Sequence, residues 1–253
     1  MVGIDWRRLC GRGRCGQACG LLLSLTMLVS ITACSQETDD QKLRFLAASE
    51  KAQSRRAQEE RKIRESIGRL GSVTGVHHVL TRFMDTCAGP ASQALWGSDD
   101  PQHTLVCDME AAAYFGVRGD IVEVLPRIRA AAIANWGHQD EHGEDVPYAG
   151  GSVRYALDYY RNHGRYPDGA LMSIPELESP GLRINWDLAP HQLVDEARPC
   201  PPAGYAYFRC ELTPSPAATV HATRTEYGVV LVFEIGTRMG SSAHHYYTVP
   251  RRP

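Results

Sequence analysis

Lysine is nearly missing from this chain: of 253 residues, only Lys42, Lys51 and Lys62 carry an ammonium group. Everything beyond residue 62 therefore has no Walker A lysine, no Schiff-base lysine and no S-x-x-K nucleophile pair. H-E-x-x-H and G-x-S-x-G are also missing, and the nearest serine stretch, Gly240-Ser241-Ser242-Ala243-His244, has no second glycine. These absences exclude most familiar envelope hydrolases, but not a glycosidase, whose two carboxylates leave no short motif. No C-x-x-C spacing occurs to support a zinc site. A formal charge of -2 argues against a nucleic-acid partner.

Long apolar runs are missing as well. The longest, Leu21 to Ile31, is interrupted by Ser24, Thr26 and Ser30 and falls well short of the roughly 20 residues that cross a ~30 Å hydrocarbon core. Ahead of it stand Arg7, Arg8, Arg12 and Arg14, and behind it small residues, which is the layout of a secretory signal peptide. The run closes on Ile31-Thr32-Ala33-Cys34, which resembles the lipobox of bacterial lipoproteins. That resemblance implies cleavage after Ala33 and a diacylglyceryl group on Cys34, with two or three acyl chains holding the protein stably to a membrane. The competing expectation is an uncleaved signal anchor from Cys15 to Gln36. Either way the Arg-rich flank stays inside and the remainder lies outside the cytoplasm.

Removing residues 1–33 takes away Cys10, Cys15 and Cys19 and leaves 220 residues, enough for one good core or two small ones. With Cys34 consumed by lipid, Cys87, Cys107, Cys200 and Cys210 remain, an even number in an oxidising space. Three pairings are open; sequence proximity favours Cys87–Cys107 and Cys200–Cys210.

Between Glu37 and about Leu70 there is no proline, and no glycine before Gly68, while Asp40/Arg44, Glu60/Arg64 and Glu65/Arg69 stand at i,i+4 with the acid first. Such pairs favour a helix. Leu43, Leu46, Ile63 and Ile67 are too sparse for a heptad seam, so residues 34–71 are expected to form a lipidated cysteine and a solvated, charged helical spacer. Residues 72–253 then form the globular domain. Val73 to Asp85 fits a strand or a short helix, and Thr104 to Val117 a strand ending at Gly116 and Gly119. Asp120 with Glu123 makes a capping box for a helix that continues to Trp136, with Gly137 at its C-cap and Pro126 as a kink or true start.

Val153, Leu157 and Tyr160 mark a second helix between Gly151 and Gly164, and Tyr166-Pro167-Asp168-Gly169 a turn. Leu182-Ile184-Trp186 and Ala206-Phe208-Cys210-Leu212 alternate with polar partners at the strand period. Val229 to Ile235 reads as a buried strand, with Tyr246 to Val249 returning beside it as a hairpin. The expected fold is α+β: one antiparallel sheet with helices on one face.

The stretch Cys107…Tyr114-Phe115-Gly116-x-x-Gly119-Asp120…Trp136, with Cys87 upstream and Trp186-Asp187 downstream, resembles a family of actinobacterial secreted proteins and lipoproteins of uncharacterised function. The resemblance covers about Cys87 to Asp187. It implies no reaction, and no catalytic residue is carried over.

His138, Asp140 and His142, within Gly137-His138-Gln139-Asp140-Glu141-His142-Gly143-Glu144-Asp145, are the candidate ligands for zinc or another divalent cation. Gly137 and Gly143 argue for a loop, and a solvated acidic loop explains the segment equally. The pairs His77-His78 and His244-His245 would point to opposite faces on a strand. Arg118-Gly119-Asp120 matches an adhesion tripeptide, but a turn and a helix cap already account for it. Tyr155, Tyr159, Tyr205, Tyr207, Tyr246 and Tyr247 are expected in the core rather than along a ligand groove. The functional expectation is a non-enzymatic binding or assembly module at the extracytoplasmic face of the cell membrane, partnered by an envelope protein or ligand and needing no cofactor. The alternative is a secreted carboxylate- or metal-dependent hydrolase.

Overall fold

The computed structural model describes residues 39–89, 103–202, 204–214, 218–236 and 245–251. Residues 1–33, expected as a signal peptide, Cys34 and the serine stretch at 240–244 lie outside them. The chain divides into two compact units, residues 1–42 and 43–253. Residues 39–42 of the first are helical. The second is an α+β domain built on a seven-stranded antiparallel sheet.

The strands are β1 (Val76–Ala88), β2 (His103–Val117), β3 (Leu177–Ser179), β4 (Leu182–Trp186), β5 (Tyr207–Thr213), β6 (Val229–Gly236) and β7 (Tyr247–Pro250). Their order across the sheet is β3-β4-β6-β2-β1-β5, with β7 also pairing β2. The helices are α1 (Glu50–Gly71), α2 (Ile121–Ala130), α3 (Val153–Arg161) and α4 (Val220–Tyr227).

Alternation along the strands gives the sheet two faces. Phe83 and Cys87 of β1, Met109, Ala111, Ala113 and Phe115 of β2, Ile184 and Trp186 of β4, and Leu231, Phe233 and Ile235 of β6 meet α1, α2 and α3 in the main core. Leu80, Tyr114, Val230 and Val232 face the other way and make a smaller core with Val194 and with Val220 of α4. Three helices thus lie on one face, as expected for the domain, and α4 packs at one end of the opposite face. Gly116 marks the contact: a Cβ there would lie 2.3 Å from the Tyr227 ring, so only glycine lets α4 approach β2 this closely.

Helix α1 forms where Glu60/Arg64 and Glu65/Arg69 place it, while the Asp40/Arg44 pair precedes its Ser49 cap. Ser49 caps its N-terminus, accepting from Ala52 N at 3.3 Å, and Arg64 pairs with Glu60 at 2.7 Å. It is not a solvated spacer. Ala52, Arg56, Ile63 and Leu70 are buried, and the helix lies along the sheet. Burying Ile63 and Leu70 stabilises this docking by about 1.5–3 kcal/mol each. The physical reason the sequence misleads is that part of the docked face is a buried guanidinium rather than an apolar side chain.

That guanidinium organises a polar layer between α1 and β1, β5 and β7. Arg56 Nε lies 2.9 Å from Oδ2 of the fully buried Asp85, an ion pair made off the hydrogen-bond direction. Arg56 Nη2 also donates to Ala47 O at 3.2 Å, and its plane stacks 3.8 Å above the Tyr207 ring. Tyr246 Oη donates to Asp85 Oδ1 at 2.7 Å. Arg209 of β5 bridges Glu60 at 2.5 Å and approaches Asp85 at 4.0 Å. Tyr207, Arg209 and Glu211 therefore face α1, while Phe208, Cys210 and Leu212 point to the opposite face.

Burial raises the Asp85 carboxyl above its ordinary value, and the Tyr246 hydrogen bond and the Arg56 and Arg209 charges only partly offset it. Burial also raises the Tyr246 phenol, and the neighbouring Asp85 charge adds to this. Glu60 moves the other way: its burial is outweighed by hydrogen bonds from Arg209 and Arg64.

Other expectations are modified. Residues 76–88 are strand, not helix. Helix α2 starts at its Asp120 cap, which accepts from Val122 N at 2.9 Å, and runs through Pro126. It ends at Ala130 rather than Trp136, because Ala131 caps it and Ala132 takes a positive φ of 48°. Helix α3 and the turn at 166–169 stand where the spacing puts them. Strand β7 does not form a hairpin with β6. The 15-residue β2 offers one long edge, on which β6 pairs along Glu110–Val117 and β7 along His103–Cys107.

Both proximity pairings of the cysteines are present as disulfides, Cys87–Cys107 and Cys200–Cys210. Cys87 and Cys107 are cross-strand partners in the β1–β2 register, which alone brings their sulfurs together. No helix among the described residues is long and apolar enough to cross a membrane.

Candidate functional site

The open half of the second sheet face carries a groove of about 510 Å³. Its floor is one row across four strands, Arg82 (β1), Ala112 (β2), Glu234 (β6) and Arg183 (β4), with the parallel row Leu80, Tyr114, Val232 and Asn185 beside it. Neighbouring strands are about 4.8 Å apart, so the small Ala112 between longer side chains leaves a hollow. The segment 193–198 forms one wall, and Ile174 with Pro175 forms another.

The 193–198 wall is held rigidly. Asp187, at the end of β4, takes Arg224 of α4 in a two-pronged grip at 2.7 and 3.1 Å and also accepts from Val194 N at 3.1 Å and Val230 N at 3.2 Å. Arg224 returns a bond to Val194 O at 2.7 Å. The hydrogen bond that Arg224 donates to Asp187 raises the guanidinium pKa further, so Arg224 is permanently charged. Glu196 then caps α4, accepting from Val220 N at 2.9 Å and His221 N at 2.8 Å. Trp186 and Asp187 thus have local structural roles: Trp186 Nε1 donates to Tyr160 Oη at 2.8 Å on one face while Asp187 anchors the wall on the other.

Within the groove, Arg183 is paired to Glu234 at 2.6 Å, which raises its pKa despite the cost of burial. Arg82 meets Glu110 only at 3.4 Å and Met84 Sδ at 3.5 Å, and its buried Nε has no acceptor. Burial pushes the Tyr114 phenol above its ordinary value, Glu234 and Glu196 push the same way, and Arg82 and Arg198 oppose them. Among the described lining residues there is no serine, threonine, cysteine, histidine or lysine. The lining supplies three guanidinium groups, Arg82, Arg183 and Arg198, and four carboxylates, Glu110, Asp195, Glu196 and Glu234.

The expected metal set is not brought together. Asp140 Oδ1 accepts from His142 N and Glu144 N, both at 2.9 Å, so its carboxylate ties the loop, and the His142 side chain is mostly exposed beside Glu141. Among the described residues no group of three or more His, Cys, Asp or Glu is arranged to hold a metal ion. The histidine pair of β1 does split across the sheet: His77 stacks on Tyr227 and His78 meets Phe115 edge-on. His245 pairs through Nδ1 with Asp108 at 2.7 Å, a contact that adjacency to His244 does not signal. Of the six tyrosines expected in the core, Tyr155 and Tyr246 are buried while Tyr159, Tyr205, Tyr207 and Tyr247 are half-buried, and Tyr114 lines the groove.

No family model, curated protein or solved structure matches this chain, so the site is described by its own geometry.

Proposed function

We propose that this chain is an exported lipoprotein, held through acylated Cys34 at the extracytoplasmic face of a membrane, whose domain binds a ligand in the groove over Ala112. The groove carries this reading: a hollow of about 510 Å³ on a rigid sheet, walled by a segment that Asp187 and Glu196 lock in place. Pre-organised concavities with a few convergent polar groups are where proteins take up small ligands. Two disulfides suit an oxidising compartment, and the lipobox at 31–34 supplies the address.

Two measurements test it. Cys34→Ala should move the protein from the membrane fraction to the soluble one and remove incorporation of an alkyne-tagged fatty acid; unchanged labelling refutes the anchor. Protein extracted from its own membrane should carry a bound compound, detected by mass spectrometry, that is lost in Ala112→Trp at unchanged secondary structure. Identical extracts from the two proteins would refute the groove.

A further inference from the structure

A ladder of alternating charge runs along the groove floor and breaks at one rung. In register, Glu178 of β3 stands beside Arg183 of β4, Arg183 beside Glu234 of β6, Glu234 beside Ala112 of β2, and Ala112 beside Arg82 of β1. The formal charges already have counter-charges. Arg183 holds Glu234, Glu110 meets Arg82, and Asp195 and Arg198 bring opposite signs to the same wall. Glu196 is spent on the first turn of α4. An ion of either sign would be repelled by half of what it touched, so the groove suits an uncharged occupant.

What the pairing leaves over is hydrogen-bonding capacity of both kinds. Arg183 Nε and Nη2 both reach Glu234 Oε2, at 2.8 and 2.6 Å, and Oε1 has no partner among the described residues. Beyond Ala112, Arg82 makes only a 3.4 Å bond to Glu110 and a 3.5 Å bond to Met84 Sδ. Glu234 and Arg82 stand two interstrand spacings apart, about 10 Å at the backbone, with only a methyl group between them. In the next row the Tyr114 hydroxyl and the Asn185 amide line the same hollow and make no hydrogen bond among the described residues. Each of these groups both donates and accepts. Val232 lies between them in register and, with the Ala112 methyl, gives the floor a small apolar centre.

A molecule that matches this floor has an apolar face, a rim of groups that donate and accept at once, and no charge. Sugar rings have that build, with C–H faces above and below and hydroxyls around the edge. We propose that the groove binds a neutral saccharide, one ring lying over Ala112 and Val232, with a hydroxyl donating to Glu234 Oε1 and others accepting from Arg82 and meeting Tyr114 and Asn185. The hollow of about 510 Å³ falls within the range of small-molecule sites, about 300–1,000 Å³. A peptide fits less well, because the floor is the middle of a sheet, whose backbone groups are already paired, and not an edge that would take an added strand. This rests on the groove being a ligand site, as proposed above.

The test is titration of the isotopically labelled protein with maltotriose, chitotriose and xylotriose, and with glucuronate, glucosamine and hexanediol as charged and apolar controls. Binding is followed through the Asn185 side-chain amide and the Val232 methyl resonances. At least one trisaccharide should saturate these signals about tenfold more tightly than any control, with less than about a twofold change in affinity between low and high salt. Asn185→Ala should weaken that probe about tenfold. Its side chain bonds to nothing else among the described residues, so folding is kept, and an unchanged melt checks this. Ala112→Trp should abolish binding. Affinity that falls steeply with salt, a control that binds as well as the best trisaccharide, or normal binding by Asn185→Ala refutes the saccharide. Silence from all three trisaccharides refutes it too. If the protein extracted from its membrane still carries a compound that Ala112→Trp loses, the groove stands without the saccharide; if the extracts are identical as well, both fall.

Discussion

Replacing Arg56 with alanine, and separately its neighbour Arg55, discriminates a docked α1 from a solvated one. The two side chains differ by one position on a charge-laced helix and point to opposite environments. Arg55 is exposed, with a single 3.4 Å contact to Gln58. Arg56 is buried against Asp85, Ala47 O and the Tyr207 ring. Removing Arg56 strands a fully buried carboxylate, which costs about 3–5 kcal/mol, whereas an exposed substitution stays within about 0.5 kcal/mol.

For a domain of this size each kcal/mol moves the midpoint by about 2–4 °C, so Arg56→Ala should lower Tm by about 6–20 °C and Arg55→Ala by less than about 2 °C. The deficit should also depend on pH. Asp85 has a folded-state pKa above its unfolded value of 3.8, so its protonated form stabilises fully below that value and the contribution is lost as pH rises through the folded value. Without Arg56 to oppose the rise, the gap to wild type should widen between about pH 4 and 7 in urea melts. Adding Asp85→Asn to Arg56→Ala should recover part of the loss and flatten that slope. If the two single variants melt within about 2 °C of each other, α1 is not docked by this pair and the reasoning fails.

Non-reducing peptide mapping should recover Cys87–Cys107 and Cys200–Cys210 and no crossed pair. Their loops span 20 and 10 residues, so chain entropy makes each bond stabilising by about 2–4 kcal/mol, the first slightly more; a larger loss from Cys200→Ser with Cys210→Ser would refute that ordering. Gly137→Ala should destabilise by roughly 2–4 kcal/mol, since its new Cβ would sit 2.5 Å from Ser152 Cβ and 2.8 Å from its backbone at a φ of +76°. Gly143→Ala, at a similar φ but in open space, should cost only about 1 kcal/mol in the same chemical melts.

What could be read from the residues was mostly local. Glu60 and Arg64 announce a helix, Asp120 announces the start of another, and Cys87 and Cys107 are near enough to invite pairing. The docking of α1 was hidden because a buried arginine looks like any other charge in a helical pattern. Helix α4 escaped notice because its eight residues bury only Val220 and Thr223, too little for a period. Pairing of β7 with β2 instead of β6 depends on which edge remains open once the sheet is assembled, a fact no hairpin rule contains. The groove was illegible for the same reason: its floor takes alternate residues from four strands, which meet only when the sheet register is in place.

Asp85 lies between Arg56 on the first long helix and Tyr246 beside the final strand, the latter 161 residues further along. One carboxylate thus clasps early and late parts of the polypeptide to a single point. Until residues 245–250 arrive, the helix has a half-built seat and the lower edge of β2 stands open to any passing strand. This edge of the sheet is therefore completed only when the two ends of the domain are brought together.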